Sequence, residues 1–202
     1  MISGIILAAG KSSRMGQDKL ALMLDDKPIL EHVILAAKES KLDEVVLVWG
    51  KYENSRNLAC KHGLLPVENR DYERGLSTSI IAGLQRIFSQ WEAVMFLLGD
   101  MPFVKASTIN RLIDAYHHTS KEIVVPVYGG QRGNPVLFSR RYARELYGLK
   151  GDRGGRSLMS SHAAEVTEVF FEETEEAMDI DTMDIYGAYQ KGDTCENKKS
   201  ED

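Results

Sequence analysis

Cysteine is scarce: Cys60 and Cys195 are the only two in 202 residues, far apart and in no CxxC pair. That excludes a disulfide framework and a zinc ribbon, and suits a reducing compartment. None of the five histidines stands at HxxxH spacing, and a helix would point the neighbours His117 and His118 in different directions, so no zinc site is expected. Positive charge is also short. With 25 Lys and Arg against 30 Asp and Glu, the net charge of −5 offers nothing general to nucleic acid or to an anionic membrane. No nucleic-acid or membrane partner is expected, and any polyanionic ligand must be gathered locally. Long apolar runs are missing. The stretch Ile5-Ile6-Leu7-Ala8-Ala9, preceded by no Lys or Arg, is too short for a bilayer span or a signal core and reads as a buried strand. A cytoplasmic protein is expected.

Repeats and interdomain linkers are absent too, and 202 residues suit one domain with one core. Hydrophobic residues at 43% and charged residues at 27% belong to a chain that folds over most of its length. The exception is the polar stretch 192–202, expected to be a disordered tail behind a domain spanning 1–191.

Within that domain, short β-rich runs alternate with stretches of helical period, which predicts an α/β fold with a mostly parallel sheet between helices. Strands are expected at Ile2–Ala8, Glu44–Trp49, Ala93–Leu98, Ile123–Tyr128, Pro135–Phe138 and Glu165–Phe171. Those at Val45–Val48 and Val94–Leu98 are apolar throughout, as central strands covered on both faces are. Helices are expected at Pro28–Glu39, Glu53–Lys61, Ser77–Phe88, Ser107–His117, Arg140–Leu146, Gly154–Ser161 and Thr182–Lys191. Pro28 suits a first helical position, and Ser77, Ser107, Ser139 and Asp181 suit N-caps.

The first strand runs into Gly10-Lys11-Ser12-Ser13-Arg14-Met15-Gly16-Gln17-Asp18-Lys19, at the carboxyl edge where α/β sheets place ligands. Its glycines let peptide N–H groups converge on phosphate oxygens, and Lys11, Arg14 and Lys19 add three cations. A Walker A loop would need a glycine where Ile5 stands, and a dinucleotide fingerprint would need glycines where Lys11 to Met15 has none. From the residues alone, an anion site and a solvated basic turn both remain open.

Three further segments carry candidate chemistry. Leu97-Leu98-Gly99-Asp100-Met101-Pro102 ends a strand beside the first loop, so Asp100 is a candidate magnesium ligand or, alternatively, a helix cap. The segment Asn69–Ser79 leads into a helix whose N-terminal N–H groups and small hydroxyls can read a base edge or a phosphate, or do no more than cap the helix. In Gly151-Asp152-Arg153-Gly154-Gly155-Arg156, three glycines and two arginines form either an anion cradle or a glycine-rich helix start with exposed arginines. The acidic run 172–176 reads as a solvated face.

LAAGKSSRMGQDK at Leu7–Lys19, together with LLGDMP, resembles the signature of the cytidylyltransferase and MobA-like nucleotidyltransferase superfamily. GLSTS, GNPVLF and GDRGGR narrow the resemblance to molybdenum cofactor cytidylyltransferases and the related accessory proteins of xanthine dehydrogenase, over residues 1 to about 189. The resemblance implies the nucleotide-diphospho-sugar transferase type of fold. It implies Leu7, Ala8, Ala9, Gly10, Arg14, Lys19, Gly75 and Ser79 around the nucleotide, Ser79 at the base, and Asp100 and Asp181 holding Mg2+. It also implies Arg132, Asn134, Arg153 and Arg156 around a pterin phosphate. The DIDTPEDL ending of the family departs here to Met183-Asp184-Ile185-Tyr186 after Thr182. Guanylyl-transferring relatives carry LAGG where this chain has Ala9, so the resemblance implies CTP over GTP. The implied reaction is transfer of CMP from CTP to molybdopterin with release of pyrophosphate. Arg14, Lys19 and Asp100 are its expected catalytic groups, and a molybdenum hydroxylase of the xanthine dehydrogenase type is the implied client. Transfer to a sugar or polyol phosphate, or a non-catalytic role in cofactor insertion, are the alternatives.

Overall fold

A computed structural model describes residues 1–12, 15–172 and 175–190. The expected tail at 192–202 lies outside the described residues. In chain order the elements are β1 (Ile2–Ala8), β2 (Met23–Leu24), β3 (Lys27–Pro28), α1 (Ile29–Lys38), β4 (Glu44–Trp49), α2 (Glu53–Lys61), β5 (Leu65–Glu68), α3 (Leu76–Leu84) and β6 (Ala93–Leu98). They continue with α4 (Ala106–His118), β7 (Ile123–Tyr128), β8 (Gln131–Arg132), β9 (Val136–Ser139), α5 (Ala143–Tyr147), α6 (Gly155–Ser161), β10 (Val166–Phe171) and α7 (Met183–Gln190), joined by short 3-10 turns.

The main sheet runs β10-β7-β9-β6-β1-β4-β5, with β8 alongside β7 and a separate β2–β3 hairpin. β1, entirely buried, pairs in parallel with β4 on one side and β6 on the other. Its side chains alternate between two cores, as strand geometry requires. Ile6 and Ala8 pack toward α1 and α4, and Ile5 and Leu7 toward α3, α5 and α6. Helices therefore cover both faces, and the α/β expectation holds. Gly83 lets α3 lie against β1, since a Cβ there would come within 2.5 Å of Ile5 Cγ2. Among the described residues no helix is long and apolar enough to cross a membrane.

Four strands fall on their expected bounds. β9 begins one residue later than expected and runs antiparallel between β6 and β7, so one antiparallel strand interrupts the sheet. β5 was not anticipated: its four residues contain Pro66, whose missing N–H weakens a strand signal but is tolerated at an edge, and the strand is the sheet's edge.

The helix starts differ more. Ser77 is not a cap; α3 begins at Leu76, whose N–H donates to the Asp152 carboxylate at 3.3 Å, while the Ser77 N–H donates to the Gly151 carbonyl at 3.0 Å. Ser107 lies inside α4, where the Lys105 N–H donates instead to Glu176 at 3.2 Å. Thr182, not Asp181, caps α7 by accepting the Ile185 N–H at 3.3 Å. Pro28 stands just before α1, in the hairpin. Orphan N–H groups at a helix start take any acceptor within reach, and here distant loops supply it. Ser139 does cap, accepting the Arg141 N–H.

Candidate active site

β1 and β6 end side by side, Leu7 opposite Leu98, and the Gly99 N–H donates to the Leu7 carbonyl at 3.0 Å. Asp100 therefore emerges beside the loop that leaves β1. That loop returns through a 3-10 turn at Lys19–Ala21, started by Asp18, whose carboxylate accepts the Leu20 N–H at 3.2 Å and an amide N–H of Asn54 at 3.1 Å. Buried Leu20 anchors the turn, so Lys19 points inward from a fixed base. A third segment arrives from the end of the chain. Ile180 is fully buried and its N–H donates to the Asp100 carbonyl at 3.0 Å. With Ile180 in the core, its neighbours Asp179 and Asp181 both line the hollow.

The hollow, about 350 Å³, is bordered by Leu7, Ala8, Gly10, Lys11 and Ser12 on the loop side and by Lys19, Asp100, Asp179 and Asp181 opposite. Lys19 Nζ lies 2.5 Å from Asp100 Oδ2 and 2.6 Å from Asp181 Oδ1. Burial by itself would lower the Lys19 pKa; Asp100, and Asp181 after it, more than offset that and leave it raised. Asp179 is pushed up, first by burial and then by the charges of Asp181 and Asp100. Oxygens of the three carboxylates lie within 4.8 Å of one another. That spacing and all-oxygen chemistry fit a hard divalent cation, and the carboxylates, which outnumber the one ammonium among them, already attract a cation in Lys19.

Of the residues expected at the nucleotide, Leu7, Ala8, Gly10 and Lys19 border this hollow with the expected metal ligands Asp100 and Asp181. Arg14 lies outside the described residues. Ala9 is buried in the core beneath α3 and does not border the hollow. Ser79 is buried, its hydroxyl accepting from Asn69 Nδ2 at 2.9 Å; Asn69 also donates to Thr78. Gly75 has φ 106°, and a Cβ there would lie 2.4 Å from the Gly151 carbonyl carbon, so α3 begins hard against the 151–156 loop. A second hollow, about 720 Å³, opens between them, bordered by Asn69, Ser77, Thr78, Ile81 and Gly151.

Arg132, Asn134, Arg153 and Arg156 border neither hollow. Arg132 Nε donates to Glu168 at 2.7 Å, the half-buried Asn134 accepts the Tyr128 hydroxyl at its carbonyl, and Arg153 and Arg156 stand exposed around the start of α6. Asp179 escaped the sequence reading, although an Asp-Ile-Asp alternation with an apolar centre carries the signal. The acidic run also needs correction. Glu172 and Glu175 are exposed, but Glu176 is buried, and its carboxylate accepts from the Thr108 hydroxyl at 2.5 Å and from the Lys105 N–H.

A glycine loop at the carboxyl edge of a mostly parallel sheet, faced by one lysine and three carboxylates, defines the nucleotide-handling class of α/β proteins. Residues 4–166 match the MobA-like NTP transferase domain, and the chain belongs to that family of nucleotidyltransferases. It is 31% identical to the purine catabolism protein PucB of Bacillus subtilis (strain 168), over 91% of this chain and 93% of that one. It is likewise 31% identical to the molybdenum cofactor cytidylyltransferase of Escherichia coli (strain K12), over 92% and 93% of the two chains. Rv0371c from Mycobacterium tuberculosis H37Rv, solved as a complex with manganese, superposes with a TM-score of 0.80 at 29% identity, over 94% of this chain and 98% of that one. The fold is that of the nucleotide-diphospho-sugar transferases.

Proposed function

We propose that this protein transfers CMP from CTP to the terminal phosphate of molybdopterin, releasing pyrophosphate. The observation that carries the proposal is Lys19 held between Asp100 and Asp181 at the mouth of the loop after β1. A phosphate oxygen of the acceptor attacks the α-phosphorus of CTP; the bond from that phosphorus to the β-phosphate bridging oxygen breaks, and pyrophosphate carries the charge away. The attacking oxygen is already ionised, so no protein nucleophile is needed and catalysis reduces to positioning and charge neutralisation. Peptide N–H groups between Gly10 and Ser12 face the triphosphate, while the Lys19 ammonium, with Arg14 in the same loop, meets the charge that grows toward pyrophosphate. Asp100 and Asp181 would hold Mg2+, which when bound neutralises phosphate charge.

Three further assignments belong to the same reading. The LAAG form at Ala9 and the likeness to a cytidylyltransferase support CTP, with Gly75 at the nucleotide and Ser79 on the base side. Arg132, Asn134, Arg153 and Arg156 surround the pterin. The domain occupies residues 1–191, works in the cytoplasm and delivers its product to a molybdenum hydroxylase of the xanthine dehydrogenase type. A second reading, cytidylyl transfer to a sugar or polyol phosphate, draws on 32% identity to the 2-C-methyl-D-erythritol 4-phosphate cytidylyltransferase of Alkaliphilus metalliredigens (strain QYMF), which covers 62% of this chain.

The test is pyrophosphate release by purified protein with CTP or GTP and each acceptor in turn. Release with CTP and molybdopterin supports the proposal. A preference for GTP refutes the base assignment, release only with 2-C-methyl-D-erythritol 4-phosphate refutes the acceptor, and silence with every acceptor leaves a cofactor-insertion role in place of catalysis.

A further inference from the structure

Asp179 and Asp181 sit on a stretch, 178–181, that belongs to no strand or helix, so its own secondary structure does not set their distance from Asp100. Cross-links to the neighbouring segment do. At one end the Ile180 N–H donates to the Asp100 carbonyl. At the other, a 3-10 turn at Glu175–Ala177 is closed by the Met178 N–H on the Glu175 carbonyl at 2.9 Å, and its central residue, Glu176, points inward at 6% exposure. The Glu176 carboxylate accepts from the Thr108 hydroxyl at 2.5 Å and the Lys105 N–H at 3.2 Å, and Lys105 Nζ lies 3.6 Å from its other oxygen. Segments 100–105 and 176–181 are thus joined at both ends, 180 to 100 and 176 to 105, with the acid cluster held beside the first link.

We propose that Glu176 is a positioning residue for the acid cluster: by docking its segment on the start of α4 it sets the reach of Asp179 and Asp181 toward Asp100, and so the affinity of the cluster for a divalent cation. The inference rests on the assignment of Asp100 and Asp181 as cation ligands. Glu176 is bound by groups of α4 and the residue before it, so its influence passes through the backbone it holds. A buried carboxylate that accepts two hydrogen bonds is costly to leave misplaced, which makes this link a specific one.

The test titrates Mn2+ into the full-length protein and follows free Mn2+ by its electron paramagnetic resonance signal, in wild type, Asp100→Ala, Glu176→Gln and Thr108→Val. Asp100→Ala should abolish tight binding. Glu176→Gln should raise the dissociation constant about tenfold, the low end of the effect of groups that orient metal ligands. Thr108→Val removes one hydroxyl and leaves every charge in place; about a threefold rise is expected, since its bond is one of two neutral donors. Wild-type binding in both Glu176→Gln and Thr108→Val, with loss in Asp100→Ala, makes Glu176 a purely structural residue and overturns the inference alone. An effect of Glu176→Gln without one of Thr108→Val also overturns it, because charge and not position is then the cause. Undiminished binding in Asp100→Ala overturns the cation reading and this inference with it. Should Glu176→Gln fail to fold, Thr108→Val decides.

Discussion

Asp100→Ala tests the proposed chemistry most directly, because the structure separates what the side chain does from what the backbone does. The main-chain carbonyl of Asp100, which accepts from Ile180, is untouched by the substitution, so segment 178–181 stays docked. The lost carboxylate leaves Lys19 partly buried, but Lys19 keeps Asp181 at 2.6 Å. Removing one partner of a fully buried pair costs about 3–5 kcal/mol, whereas an exposed pair contributes about 0–1 kcal/mol. With the Asp100 and Lys19 side chains 19% and 12% exposed and a second partner retained, a stability loss of about 1–2 kcal/mol is expected. The effect on turnover should be larger. Asp100 would act through the cation it holds, and losing one such source of charge stabilisation in the transition state costs about 10²–10³ in rate, roughly 2.7–4 kcal/mol. The assay is pyrophosphate release with CTP and molybdopterin at saturating magnesium, paired with urea unfolding. A kcat within a factor of about three of wild type, under 1 kcal/mol, would remove Asp100 from the mechanism. An equal fall in activity and folded fraction would mean that its role is structural.

Ala9→Gly, a change in the packing beneath α3 and not in the lining of the hollow, should lower the CTP:GTP ratio of kcat/KM by about threefold, less than the roughly tenfold or more of a direct pocket contact; an unmoved ratio detaches base choice from this residue. Gly75→Ala should destabilise the fold by about 2–4 kcal/mol in urea unfolding, through the strain of a left-handed φ and overpacking against Gly151; an unchanged midpoint would contradict the close contact. Glu31, buried on α1, is held below its ordinary pKa of 4.5, chiefly by the Lys61 hydrogen bond at 2.8 Å and also by His62. Its contribution to stability is therefore present above pH 4.5 and lost as pH falls through the lowered folded value. Glu31→Gln should flatten that acid limb in a series of thermal melts, and an identical limb in the variant would place the pH dependence elsewhere.

What the sequence determined by itself is mostly what local pattern encodes. β1, β4, β6 and β7 could be bounded to the residue because each carries a short, largely apolar run with no solvated alternative, and the loop after β1 stood out because glycines and cations were concentrated there. The emergence of Asp100 beside that loop followed from strand direction alone. Tertiary structure decided the rest. The placing of β9 antiparallel between β6 and β7 depends on how the chain crosses the sheet, which no local period records. Ser77 and Ser107 fit the local cap pattern, yet Asp152 and Glu176 took the acceptor roles, since a bare N–H at a helix start is satisfied by whichever oxygen packing brings within about 3 Å. Asp179 joined the carboxylate cluster for a related reason: only when Ile180 is drawn into the core do its two neighbours line the same hollow.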